Sequence, residues 1–294
     1  MNAKILDGKA VAAEMRAEIK EKTLELLSRG VRPGLGVILV GDDPASRSYV
    51  TAKEKACEDA GILSREIRMP ADSSKEQILA EVIKLNEAND IHGILVQLPL
   101  PDSSIEEEVL NTILPEKDVD GFHPVSVGKM MLGLPTFLSC TPHGILHLLK
   151  RSGIEAKSKH VVVVGRSNIV GKPLANLLSL KNDLGNATVT LCHTGTPDIG
   201  KFTREADIVI AAVGRPEVIT ADMIKEGAVV IDVGVNRVED ASKKRGYRLV
   251  GDCEYDAMLE KASAITPVPG GVGPMTITML LYNTLESAQK TLEA

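Results

Sequence analysis

The sequence predicts an α/β protein of two lobes, each built on parallel strands with helices between them. Three observations predict it. Short apolar runs alternate with helix-patterned segments through most of the 294 residues, the rhythm of a parallel sheet with crossover helices. Four consecutive β-branched residues, Val161 to Val164, read as a strand buried on both faces. A stretch rich in Gly, Pro and Asp, from Pro115 to Thr141, separates two such rhythms and reads as a connector that carries function.

The elements follow in order. Residues 9–29 show helical spacing, with Gly30 as a C-terminal stop. Leu35 to Val40 is a strand. Gly41-Asp42-Asp43-Pro44 turns into a helix that runs to about Gly61. A strand from Arg65 to Met69 precedes a helix capped by Ser73 or Ser74 and reaching about Ala88. Gly93 to Gln97 is the next strand, ending in Leu98-Pro99-Leu100-Pro101. The connector has room for one short helix around Val125 to Met131. A helix from about Pro142 to Arg151 leads into Val161. Ala187 to Leu191, Asp207 to Ala212 and Ala228 to Val233 are strands; Lys243 to Gly246 is a solvated turn. Ile265 to Thr276 reads as a Pro/Gly loop, and residues from about Thr276 to Leu292 as one amphipathic helix. The expected domains are therefore 1–140 with 275–294, and 141–274, the last helix returning to the first lobe on chain order.

Composition narrows the function classes. With 44% hydrophobic and 25% charged residues the chain reads as a soluble globular protein. A net charge of −6 argues against nucleic-acid binding, which usually needs a basic face. Three Phe, four Tyr and no Trp leave little for base stacking. No apolar run approaches a membrane span of about 20 residues, and the first residues mix Lys, Asp and Glu without a secretory or transit pattern. Cys57, Cys140, Cys192 and Cys253 are far apart and read as reduced, packed thiols of a cytoplasmic protein.

After Val164 come Gly165-Arg166-Ser167-Asn168-Ile169-Val170-Gly171, then Lys172-Pro173. Strand, glycine turn and helix N-terminus form a geometry that can hold a dinucleotide pyrophosphate on backbone N–H groups, which makes the second lobe Rossmann-like. The spacing is G-x5-G, and a plain strand–helix turn remains the other reading. The next strand ends in Leu191-Cys192-His193-Thr194, without the carboxylate that NAD sites place on the ribose. Arg166, His193 and Thr194 suit a 2′-phosphate, which favours NADP over NAD; otherwise Arg166 and His193 are surface residues. Val213-Gly214-Arg215-Pro216 and Val233-Gly234-Val235-Asn236 supply further turns at the same sheet edge.

In the first lobe, Tyr49 and Lys53 stand four apart on one helix face. The Y-x-x-x-K spacing of short-chain dehydrogenases does not apply, since there the pair follows the glycine motif within one domain. Alone, Tyr49 and Lys53 read as a surface pair with a snorkelling lysine. Gln97, ending a strand, presents an amide to a ligand or to backbone. Asp118 and Asp120 lack a His or Cys to complete a metal site, and no metal is expected. His143 and His147 lack the Glu of a zinc protease and read as structural.

Taken together these residues resemble the bifunctional methylenetetrahydrofolate dehydrogenase/cyclohydrolase family. The stretches that carry the resemblance are Gly41-Asp42-Asp43-Pro44-Ala45-Ser46 with Tyr49 and Lys53, then Gln97-Leu98-Pro99-Leu100-Pro101, and Pro115 to Phe122. Gly165-Arg166-Ser167 with Val170-Gly171 and Pro173, Val230 to Gly234, and Thr266 to Thr276 complete the set, in the family's order. The resemblance implies two α/β domains with a cleft between them, a homodimer, and a role in one-carbon metabolism. The expected reaction is oxidation of a one-carbon bridge on tetrahydrofolate with NADP, then hydrolysis; a monofunctional dehydrogenase using NAD or NADP is the alternative. It implies Lys53 as the catalytic lysine, with Tyr49, Gln97 and Asp120 around the folate. Val96, Leu98, Pro269, Gly270, Gly273 and Thr276 border the substrate. Gly165, Arg166, Ser167, Thr194 and Val235 contact NADP. Thr194 stands where the family commonly has Ser, and Gly251-Asp252-Cys253-Glu254-Tyr255 replaces its usual Gly-Asp-Val-Asp-Phe; Glu254 is assigned no role. Outside this class, a dinucleotide sensor or inactive scaffold is disfavoured, since a pure binder needs no acid–base lysine.

Overall fold

The computed structural model describes residues 2–243 and 246–292. The chain begins with β1 (Lys4–Ile5), α1 (Gly8–Ser28), β2 (Gly34–Val40), α2 (Pro44–Ala60), β3 (Leu63–Met69), α3 (Lys75–Glu87) and β4 (Gly93–Val96). Then come α4 (Glu106–Thr112), α5 (Pro124–Met131), α6 (Cys140–Arg151), β5 (His160–Val164), α7 (Gly171–Ser179), β6 (Thr188–Cys192) and α8 (Ile199–Thr203). It ends with β7 (Ile208–Ala211), β8 (Val229–Asp232), β9 (Asn236–Glu239), β10 (Tyr247–Val250), α9 (Tyr255–Met258), β11 (Ala264–Ile265) and α10 (Val272–Lys290). Two compact units result: Ala13–Cys140 with Ile277–Ala294, and Thr141–Thr276 with Met1–Ala12. Both are α/β.

The 13–140 unit holds a three-stranded parallel sheet in the order β3-β2-β4. All seven residues of β2 are buried, as a central parallel strand requires. The Asp43 carboxylate accepts from the Ser46 N–H at 2.7 Å, Pro44 opens α2, and Gly61 closes it with φ 78°. Ser74, not Ser73, caps α3, in a reciprocal box with Gln77. The core gathers Ile38, Val82, Leu85, Ile94 and Val96. Helix α4 has no counterpart in the sequence reading. It is seven residues long, opens on three glutamates and buries only Val109, so it carries almost no apolar periodicity.

The 141–276 unit holds a six-stranded sheet in the order β1-β11-β8-β7-β5-β6, with every pairing parallel. Valines 161–164 are at most 1% exposed, as a doubly covered strand predicts. The chain leaves β5 for β6 on one side and then crosses to β7 on the other, which creates a switch point at the carboxyl ends of the strands.

Three expectations need correction. Residues 1–12 were expected with the first lobe, but β1 pairs with β11, Lys4 against Ala264, and so belongs to the second unit's sheet. A two-residue strand has too little pattern to be read. The hairpin β9–β10 was not anticipated either. Its strands are half-exposed and charged, joined by full antiparallel register and by Arg237, whose guanidinium carbon stands 3.8 Å from the Tyr247 ring centre. Of the solvated turn expected at 243–246, Lys244 and Arg245 lie outside the described residues. Third, α10 begins at Val272, not near Thr276. Pro274 falls in its first turn, where a missing N–H costs nothing, so the proline that suggested a loop is compatible with helix. Among the described residues no helix is long and apolar enough to cross a membrane.

Candidate active site

The carboxyl end of β4 carries the first cluster. Gln97 follows the strand, its backbone N–H donating to Ile38 O at 2.9 Å. Its side chain is fixed at both ends: Nε2 donates to Leu98 O at 2.7 Å, and Oε1 accepts from Lys53 Nζ at 2.9 Å. Lys53 comes from α2, one turn after Tyr49, which is 44% exposed. One turn further on, Cys57 is buried, and burial pushes its thiol up to about 12. Burial pulls the Lys53 ammonium below the ordinary lysine range, with the Asp120 carboxylate the main opposing influence. Asp120 is pushed upward by burial and held back by Lys53. The Val96 side chain is committed to the core, so only its backbone is free to meet a ligand; Leu98 is half-buried.

Asp118 explains how Asp120 is aimed. Its carboxylate accepts from the backbone N–H groups of Phe122 (3.1 Å) and His123 (2.9 Å), tying the 118–123 turn together. Burial pushes it up to about 6. Gly121, at φ 72°, closes against the backbone of Leu138 and Ser139, where a Cβ would stand 2.6 Å from the Ser139 nitrogen. Asn283, fully buried on α10, donates to Val119 O (2.8 Å) and Leu138 O (3.0 Å) and clamps the same segment. The Cys140 thiol donates to Val119 O at 3.4 Å; burial, then Asp120, raise it far above the usual range. Asp118 and Asn283 were missed as functional supports. Asp118 was weighed only as a metal ligand, and Asn283 lies in an unremarkable helix.

In the other unit, the turn after β5 has the geometry of a phosphate cradle. Gly165 takes φ 127°, a Cβ there would collide with Ala212 O, and a Cβ at Gly171 would collide with Gly165 O. The Ser167 hydroxyl accepts from the N–H groups of Val170 (3.1 Å) and Gly171 (3.3 Å), holding the turn at the start of α7. Arg166 is exposed at its rim. After β6, His193 Nδ1 accepts from the Gly195 N–H at 3.0 Å, which leaves Nε2 as the proton-bearing nitrogen. Thr194 is exposed beside it, and Val235, after β8, is 47% exposed. Among the described residues no group of His, Cys, Asp and Glu is placed to hold a metal ion. His143 and His147 face each other, Nε2 to Nε2, at 3.1 Å on α6; burial pushes His143 down to about 3.

The 266–276 segment divides. Pro269 and Gly270 lie in the loop; Gly270 has φ 112°, and its carbonyl accepts from the Lys9 N–H at 3.1 Å. Gly273 and Thr276, expected in that loop, sit instead in the opening turns of α10, where the Thr276 hydroxyl pairs with that of Thr141 at 2.9 Å. The structure thus brings Lys53, Gln97 and Asp120 together in one unit, and Gly165, Arg166, Ser167, Thr194 and Val235 along one sheet edge of the other.

Comparisons with known proteins identify the family. Residues 6–120 match the catalytic-domain model of tetrahydrofolate dehydrogenase/cyclohydrolase, and residues 139–292 match its NAD(P)-binding-domain model. The chain is 58% identical to the bifunctional protein FolD of Geotalea uraniireducens, over 98% of this chain and 99% of that one. It is 56% identical to that of Bacillus anthracis, over 99% and 98%. Among solved structures, the Trypanosoma brucei methylenetetrahydrofolate dehydrogenase-cyclohydrolase, complexed with NADP and an inhibitor, aligns with a TM-score of 0.94 and 42% identity over the whole of both chains. The Campylobacter jejuni FolD enzyme aligns with a TM-score of 0.92 and 47% identity, over 98% of this chain and 99% of that one. With both domain models matched and such identity end to end, the chain belongs to the tetrahydrofolate dehydrogenase/cyclohydrolase family.

Proposed function

We propose that the protein oxidises 5,10-methylenetetrahydrofolate to the 5,10-methenyl form with NADP and hydrolyses the product to 10-formyltetrahydrofolate, with Lys53 as the acid–base group. The observation that carries this is the partly buried Lys53 amine, held at 2.9 Å by Gln97 and facing Asp120. NADP supplies the hydride acceptor when bound. The residues fit it: Gly165 and Gly171 let the turn after β5 close tightly onto the start of α7, whose backbone N–H groups suit a pyrophosphate, and Arg166, His193 Nε2–H and Thr194 present donors to a 2′-phosphate. Val235 lies along the same edge.

Hydride loss from the carbon bridge needs no protein base, because a folate nitrogen lone pair stabilises the resulting cation; it needs placement at about 3–3.5 Å. Hydrolysis does need a base, as water adds to the methenyl carbon and protons move while the ring opens. An ordinary lysine, near 10.4, is too basic for that work at neutral pH. Burial lowers Lys53 toward the useful range, a cationic substrate lowers it further, and Gln97 aims its amine. The Asp120 carboxylate accepts adjacent N–H donors of the pterin edge. Tyr49 flanks the folate with its exposed ring, while Leu98, Pro269, Gly270, Gly273, Thr276 and the Val96 backbone border it.

The dehydrogenase-only alternative is set aside, since the relatives at 56–58% identity are bifunctional proteins and both family domains are matched. We place the enzyme in the cytoplasm, on its four buried free thiols, and as a homodimer, on the family resemblance; light scattering tests the latter. The decisive assay is Lys53→Met: methenyl hydrolysis is lost while hydride transfer to NADP remains measurable. Hydrolysis at the wild-type rate removes Lys53 from the mechanism.

A further inference from the structure

Two buried carboxylates, Asp232 and Asp252, lock the strand ends on the β7–β8 side of the second sheet. Asp252 accepts four hydrogen bonds. The backbone N–H groups of Val213 (2.6 Å) and Gly214 (2.9 Å) reach Oδ2, and those of Arg215 (3.1 Å) and the Asn236 amide (2.9 Å) reach Oδ1. Asp232 accepts from the N–H groups of Gly234 (3.0 Å), Asp252 (2.9 Å) and Cys253 (2.8 Å). The two are interlocked through glycine: a Cβ at Gly234 would collide with the Asp252 carboxylate, and one at Gly251 with that of Asp232. Three successive backbone N–H groups converging on one point make an anion nest. Such a nest at the switch point of a parallel sheet is where a nucleotide phosphate would otherwise bind. Here a side chain of the protein fills it.

We propose that Asp252 is a positioning residue for the nicotinamide half of the dinucleotide. By filling the nest after β7 it leaves the phosphates only the turn after β5. By bonding both to residues 213–215 and to Asn236 it sets the loops after β7 and β8, on which the nicotinamide half lies once the adenosine half is at the end of β6. The inference rests on the NADP reading above. An asparagine cannot replace the aspartate, because in either orientation its amide nitrogen faces two N–H donors.

The test is calorimetric binding of two ligands, NADP and adenosine 2′,5′-bisphosphate, which carries the adenosine half alone. Asp252→Asn is expected to weaken NADP at least about tenfold and to leave the bisphosphate within about twofold. Equal weakening of both, or of neither, overturns the proposal. If Asp252→Asn does not fold, Asn236→Ala removes one donor and keeps the carboxylate; about a threefold weakening confined to NADP supports the proposal, and its absence overturns it. Wild-type protein that binds neither ligand sinks the NADP reading itself, whereas wild-type binding with unselective loss in the variants sinks only the role of Asp252.

Discussion

Asp120→Asn offers the sharpest test of the catalytic cluster, because the structure gives its effect a sign. The Asp120 carboxylate is the largest influence holding the Lys53 ammonium up against the burial that pulls it down. A carboxylate facing an ammonium favours the charged form of both groups, so Asp120 opposes the loss of the Lys53 proton. Removing the carboxylate lowers the Lys53 pKa, so the free amine forms at lower pH. The ascending limb of kcat/KM for methenyl hydrolysis reports that ionisation in the free enzyme. It is expected to move toward acid. The height of the profile falls as well, since the pterin loses its acceptor, but height and position are read separately. A limb that stays in place, or moves toward alkali, refutes the coupling of Lys53 to Asp120.

Lys53→Met should lower cyclohydrolase turnover by about 10²–10⁴, the usual contribution of a positioned acid–base group, with a far smaller loss in hydride transfer; parallel absorbance assays compare the two. Arg166→Ala should raise the KM for NADP about 10–100-fold, as expected for a lost charge-assisted contact, and hardly change that for NAD; equal changes mean that Arg166 does not read the 2′-phosphate. Asn283→Ala takes the 3.0 Å donor from Leu138 O and leaves Val119 O with only the weak Cys140 thiol. It should cost about 2–4 kcal/mol in urea unfolding, and a loss under about 0.5 kcal/mol shows that the clamp is dispensable.

Some of the geometry was legible because it is local in sequence, whereas the catalytic role proposed for Lys53, Gln97 and Asp120 came from the family resemblance. Tyr49 and Lys53 share a helix face by spacing alone. Gly165 and Gly171 announce a tight turn because only glycine tolerates the approach of Ala212 and of the Gly165 carbonyl that the structure shows. The absence of an acid after β6 was equally plain. The supports were not legible. Nothing in the spacing of Asp118 says that its carboxylate will be spent on its own turn, and nothing at Asn283 points more than a hundred residues back to Val119.

What the amino-acid sequence determined by itself was the alternation of strand and helix, the glycine turn after Val164 and the residue types available for catalysis, since these rest on periodicity and backbone sterics within a few residues. Only the tertiary structure decided that β1 crosses to the second sheet, that Lys53, Gln97 and Asp120 meet, and that Asp232 and Asp252 interlock. Those outcomes depend on which distant groups are desolvated together. A buried carboxylate must find its N–H donors wherever the fold brings them, and no local pattern encodes the partner.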